Sequence, residues 1–239
     1  MPPDELTDTA DTELLHRGEV EVVGRMPWSS NGTYLVELSL DDRTGRAIYK
    51  PHRGERPLWD FPDGLYRREV AAYELSDHLG WRLVPLTVLR DEAPMGPGSV
   101  QAFVDADFEQ HYFTLLPDER HHAELRRLAA FDLVSNNTDR KSGHCLLDAD
   151  HHIWAIDNGL SFHAEFKLRT VIWEFAGQPL ADDILADLEA LVDEGLPDRV
   201  ACLLGVFERD AVLARSRALL RAGHLPTDPS GQRYPWPLV

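Results

Sequence analysis

The sequence predicts an α+β chain with two lobes, a strand-rich one followed by a mainly helical one. Three observations carry this. Apolar residues alternate in short runs between residues 19 and 104, with one helical stretch among them. From residue 105 to 224 the 3.6-residue period takes over. That helical half is broken once, by two short apolar runs, Cys145–Leu147 and Ile153–Ile156, that face each other across a polar turn. The expected organisation is an amino-terminal segment 1–18, a first lobe 19–104, a second lobe 105–224 and a tail 225–239 that holds four prolines.

In chain order, Met1–Asp11 is polar and acidic, and Thr12–Arg17 has room for a short helical turn. Glu19–Arg25 is a first strand. The turn-rich Pro27–Thr33 leads into a second, Tyr34–Leu40. Asp41–Gly45 reads as a hairpin turn and Arg46–Pro51 as the returning strand, with Lys50 on the face of Ile48, which the pattern assigns to the core side. His52–Gly64, rich in Pro, Gly and Arg, reads as a loop packed by Trp59 and Phe61. Leu65–Leu79 is helical, with Ala72, Leu75 and Leu79 on one stripe and Gly80 as the stop. Leu83–Arg90 and Ser99–Val104 complete the strands. Beyond them, helices are expected over Ala123–Val134, whose apolar face carries a single acid, Asp132, over Leu180–Leu191 and over Asp198–Arg221.

Composition excludes several classes. Lys and Arg number 24 against 41 Asp and Glu, so the formal charge is 24 − 41 = −17. Nucleic acid and anionic membranes both demand clustered positive charge, so neither is expected as a stable partner. The two cysteines, Cys145 and Cys202, give no disulfide framework and fit a reducing cytoplasm. No apolar run approaches the roughly 18–20 residues of a membrane span, and the acidic start has no signal-peptide core.

The chemistry-bearing residues fall in a fixed order. Ser29, Ser30, Asn31 and Gly32 form a turn between two strands, a place where backbone N–H groups can cradle phosphate. Lys50 lies on the third strand and Glu69 near the start of the next helix, spaced to pair. Asp139 follows a helix inside the polar loop Asn136–Lys141, and Asp157 ends a strand and precedes Asn158-Gly159. Each alone has a plain explanation: a hairpin, a snorkelling lysine, a first-turn acid, an Asx turn. Together they match what phosphoryl transfer requires, namely phosphate donors, a lysine with its acid, a base and a metal ligand.

The segments SNNTDRKSGHCLLD and IWAIDNGLSF resemble the catalytic and metal-binding segments of type II phosphatidylinositol 4-kinases. They are similar, more distantly, to those of phosphatidylinositol 3-kinases and HipA-type bacterial kinases. SSNGTY, YKP, REVAAYELSDHLG and VQAFV resemble the same superfamily's nucleotide loop, lysine strand, glutamate helix and hinge. The resemblance covers Ser29 to Phe162 and implies a protein-kinase-like (phosphatidylinositol-kinase-like) fold that uses ATP and Mg²⁺ or Mn²⁺. It further implies that Ser29, Ser30, Asn31 and Gly32 cover the phosphates and that Lys50, held by Glu69, contacts them. Gln101, Phe103 and Val104 would border the adenine. Asp139 would serve the acceptor hydroxyl with Arg140 and Lys141 beside it, and Asp157 would bind metal. Two positions depart from the lipid kinases: His144 stands where a metal-binding Asn is expected and is read with Asp157 as a metal residue, which favours Mn²⁺ or leaves a second metal site weak, and Lys141 is a residue typical of protein kinases. The expected activity is a cytoplasmic ATP-dependent phosphotransferase acting on a protein or small soluble acceptor. A lipid kinase, a nucleotide-binding pseudokinase and an adenylyl transferase are the alternatives.

Overall fold

The computed structural model describes residues 12–27, 29 and 31–238. Met1–Asp11 and Ser30, which figure in the expectations above, lie outside them. The chain divides into two units, Met1–Val70 with Pro85–Phe103, and Ala71–Val84 with Val104–Val239.

The first unit is a five-stranded antiparallel sheet in the order β1-β2-β3-β5-β4, with β1 Glu19–Arg25, β2 Tyr34–Leu40, β3 Arg43–Pro51, β4 Thr87–Arg90 and β5 Gly98–Ala102. The β2–β3 turn is tighter than the expected Asp41–Gly45. Leu40 already pairs with Arg43, leaving Asp41 and Asp42 as a two-residue loop, with Asp41 at φ 53°. Gly45 is thereby released into the strand opposite Leu38, where a Cβ would come within 3.0 Å of Leu14 on the helix over residues 12–17 (α1). That helix covers one sheet face, and Leu14, Leu15, Val36, Leu38, Ala47, Tyr49, Val88 and Val100 form the core there.

Lys50 is therefore not on the core face, as its alternation with Ile48 suggested. Ala47, Tyr49 and Pro51 are the buried set, and Ile48 and Lys50 occupy the half-buried opposite face. Beside Lys50, β5 begins at Gly98. A Cβ there would lie 2.5 Å from the Lys50 carbonyl oxygen, so only glycine lets the two strands close at this point.

The expected strand Leu83–Arg90 is split by Pro85. Only Thr87–Arg90 joins the sheet, whereas Leu83 accepts the Ala155 N–H within the second unit. The second unit is helical around α2 (Leu65–His78, from Ala71 onward), α3 (Tyr112–Leu115), α4 (His122–Ser135), α5 (Asp182–Glu194), α6 (Asp198–Ala201) and α7 (Val206–Ala222). The long helical region expected over Asp198–Arg221 breaks in two. Gly205 is extended, and its N–H is taken by the Glu208 carboxylate as α7 starts. The hairpin β6 (Cys145–Leu147) with β7 (Ile153–Ala155) is formed as expected. Cys145 is buried and Cys202 exposed, both as free thiols. Among the described residues no helix is long and apolar enough to cross a membrane.

Candidate active site

In the first unit, Lys50 Nζ is 2.5 Å from Glu69 Oε1. Among the described residues Glu69 is one of the few buried acids, at 3 % exposure, so it is a committed partner rather than a solvated first-turn acid. Its place on the second turn of α2 explains this, because that turn faces the lysine side of β3.

The turn between β1 and β2 is tied down internally and from outside. The Ser29 and Thr33 hydroxyls share a 2.8 Å hydrogen bond. Asn31 Oδ1 accepts the Arg56 N–H at 3.0 Å, so this carboxamide oxygen is spent on the protein. The Gly32 N–H donates to the Gly54 carbonyl at 2.8 Å. At the expected hinge, Gln101 is buried and donates to Thr87 Oγ1 at 2.8 Å. Phe103 carries the Arg46 guanidinium 4.4 Å above its ring and ends the first unit, and the half-buried Val104 opens the second.

In the second unit the loop after α4 is shaped by two asparagines. Asn136 adopts the left-handed conformation (φ 56°, ψ 52°) and closes the helix. Asn137 Oδ1 then accepts the Asp139 N–H at 2.9 Å, an Asx turn that sets the direction of Asp139. Lys141 Nζ lies 3.2 Å from Asp139 Oδ2. Burial raises the Asp139 carboxyl above the ordinary range. Lys141 opposes this and the charge of Asp157 adds to it.

Arg140 points the other way. It is wholly enclosed, with Nε donating to Asp132 at 3.0 and 3.2 Å, Nη1 to the Ile156 carbonyl at 2.6 Å and Nη2 to Asn158 Oδ1 at 2.6 Å. Thr170 Oγ1 donates to the second oxygen of Asp132 at 3.1 Å. A side chain so enclosed cannot touch a substrate, and its grouping with the catalytic residues is corrected to a supporting position. Asp132 and Asn158, its partners, carry no motif that marks them in the sequence. The available signal was an acid alone on an apolar helix face, which calls for a buried cation.

Asp157 is more than half exposed and sits at φ 57°, a conformation that asparagine and aspartate tolerate best. His144 Nε2 is 3.5 Å from Asp157 Oδ2, about the spacing of two ligands each ~2.1 Å from one cation. The exposed carboxylate thus suits a divalent ion. The histidine is less simple. Its Nδ1 faces the Lys141 N–H at 3.4 Å, and an Nδ1 that accepts this hydrogen leaves the neutral ring's own hydrogen on Nε2, the side of Asp157. Ligation through Nε2 would require the other tautomer.

After Asp157 the chain is stitched to the Asn136–Asp139 loop. Leu160 accepts from Thr138 through both its N–H and its hydroxyl, Ser135 accepts the Phe162 N–H, and Asn136 and Asn137 accept the N–H groups of Lys167 and Arg169. Elsewhere in the first unit, His52, Glu55 and Asp63 bring three ligand atoms within 4.8 Å of one another. Glu55, however, is consumed by three N–H groups at the start of α2, where the helix dipole disfavours a cation.

A five-stranded antiparallel sheet carrying a lysine–glutamate pair, followed by a helical unit with two loop aspartates, defines a protein-kinase-like fold. Solved structures agree on the fold. The Golgi casein kinase with Mn/ADP bound superimposes with a TM-score of 0.59 over 96% of this chain and 81% of that one, at 14% identity. The hydra Fam20 structure with sugar gives 0.57 over 93% and 89%, at 12% identity. No family model matches the sequence. The chain is 39% identical to protein Rv2133c of Mycobacterium tuberculosis over an alignment 262 positions long, covering 94% of each, and it belongs to that protein's family.

Proposed function

We propose that the protein is an ATP-dependent kinase that transfers the γ-phosphate to a hydroxyl of a protein or small soluble acceptor. The observation that carries this reading is the Lys50–Glu69 pair. A lysine held at 2.5 Å by a buried glutamate is fixed in place for phosphate oxygens. In this reading Lys50 neutralises the α- and β-phosphates, the Ser29–Gly32 turn covers them, and Gln101 to Val104 border the adenine. The Asp139 carboxylate, raised by burial, accepts the proton of the attacking hydroxyl. The new bond forms to the γ-phosphorus, the bond to the bridging oxygen breaks, and ADP leaves. Lys141 steadies Asp139 and faces the transferred group. A divalent cation, when bound at Asp157, supplies further charge neutralisation. The neighbouring Golgi casein kinase binds Mn and ADP in its solved structure, which supports a nucleotide with a divalent ion here.

A phosphatidylinositol acceptor is less well supported. The chain's charge of −17 opposes anionic headgroups. The test uses γ- and α-labelled ATP with casein-like protein, lipid vesicles or no added acceptor. The expected result is metal-dependent transfer of γ-label to protein and not to lipid, abolished in Lys50→Met and Asp157→Ala. Transfer of α-label would replace this reading with adenylyl transfer. ATP binding without metal dependence or turnover would replace it with a pseudokinase.

For the metal, the tautomer at His144 favours a cation held through Asp157, with the histidine as the hydrogen-bond donor that aims it. His144→Asn is therefore expected to leave the Mn²⁺/Mg²⁺ activity ratio unchanged while lowering turnover several-fold. A ratio that shifts towards Mg²⁺ would make His144 a ligand instead.

A further inference from the structure

The segment between β3 and α2, His52–Gly64, takes no part in the chemistry above, yet its hydrogen bonds run to the groups that do. Residues 54, 55 and 56 alternate in direction. The Gly54 carbonyl accepts the Gly32 N–H at 2.8 Å, and the Arg56 N–H donates to Asn31 Oδ1 at 3.0 Å. Between them, Glu55 turns to α2, where its two oxygens accept the N–H groups of Gly64, Leu65 and Tyr66 at 3.2, 2.9 and 2.7 Å. Helix α2 has no acid in its own first turn, so Glu55 supplies the charge that its amino-terminal N–H groups lack. Contact with the turn is close. A Cβ on Gly54 would lie 3.0 Å from the Gly32 Cα, 3.1 Å from its carbonyl oxygen and 3.3 Å from its nitrogen. The segment is itself moored to the β4–β5 turn, where the His52 N–H donates to the Pro97 carbonyl at 2.8 Å.

We propose that Gly54–Arg56 is a clasp that holds the β1–β2 turn in its phosphate-covering position and locks it to the helix that carries Glu69. Asn31, Gly54 and Glu55 are then positioning residues for the triphosphate. This deepens the kinase reading and rests on it. Two expectations from sequence change accordingly. The Asn31 carboxamide serves the clasp rather than the nucleotide, and the Gly32 amide, already bonded to Gly54, is not a phosphate donor. The turn cannot lift without giving up both hydrogen bonds, and α2 cannot slide without uncovering its N–H groups. Asn31 and Gly32 are thereby held in place before ATP arrives, which reduces what binding must spend on ordering.

The test compares wild type, Asn31→Ala, Gly54→Ala and Glu55→Gln by titration calorimetry against ATP with Mg²⁺ and against adenosine, with a melting curve for each. A clasp on the phosphate turn predicts that ATP affinity falls about tenfold while adenosine affinity stays within about twofold. Equal loss for both ligands, or no loss for ATP, overturns the clasp and leaves the kinase reading standing. A wild-type protein that binds no ATP removes the kinase reading and the clasp together. Asn31→Ala deletes only a side-chain acceptor at a turn, so it decides the matter if Gly54→Ala fails to fold.

Discussion

Arg140→Met is expected to destabilise the second unit by about 3–5 kcal/mol, because it leaves the Asp132 carboxylate buried without its cation. Asp132 and Arg140 are both fully enclosed. Burial pushes the Asp132 carboxyl up, the guanidinium 3.0 Å away opposes this, and Arg140 stays a cation. Removing the guanidinium also takes away a donor from the Ile156 carbonyl and from Asn158 Oδ1. Arg140→Lys should fail almost as badly, since a single ammonium cannot replace a fork that serves Asp132, Ile156 and Asn158 at once. The double variant Asp132→Asn, Arg140→Met should recover much of the loss, because the buried charge is gone from both sides. Urea denaturation followed by tryptophan fluorescence measures all three. A single variant within 1 kcal/mol of wild type would show that the pair holds nothing together.

Asp139→Asn is expected to lower turnover by about 10²–10⁴-fold, the range for loss of a general base, with ATP affinity close to wild type. The same variant should melt at or above the wild-type temperature near neutral pH. The sign follows from the raised carboxyl. Folding makes Asp139 harder to ionise, so its stabilising contribution is greatest below the unfolded-state value and is lost as pH rises through the folded one. At neutral pH the charged form is therefore a cost, and asparagine removes it. Stability given up at one carboxylate in exchange for chemistry is the usual signature of a working site. Retained label transfer in this variant would unseat Asp139 as the base, and a clearly lower melting temperature would unseat the sign argument.

Period and turn chemistry made the sheet strands, the β6–β7 hairpin and the helices on either side legible, because each is a local signal. What escaped is non-local. Nothing near Gly98 says that β5 inserts between β3 and β4, and nothing near β3 says that the helix over residues 12–17 covers the face of Ala47 and Tyr49. The alternation of β3 alone therefore points Lys50 to the wrong face, while its spacing from Glu69 matches the pair that forms. The polar residues of the site divide in the same way. Asp139 and Asp157 stand out through their neighbours, whereas Arg140 sits in the same motif and looks equally catalytic until its burial is known. Asn31 reads as a phosphate-loop residue until Arg56, twenty-five positions on, claims its side chain.

The stitching of the chain after Asp157 has a consequence for how the site is made ready. Residues 160–169 are bonded pairwise to 135–138, and Arg215 of α7 adds donors to the Val134 and His163 carbonyls. The conformational entropy of this stretch is thus lost once, when the chain folds, and not again at each encounter with a substrate. A segment ordered in that way has no disordered state in reserve to be switched on. In the kinase reading, the hydrogen bonds that position this stretch therefore need not form anew in each catalytic cycle.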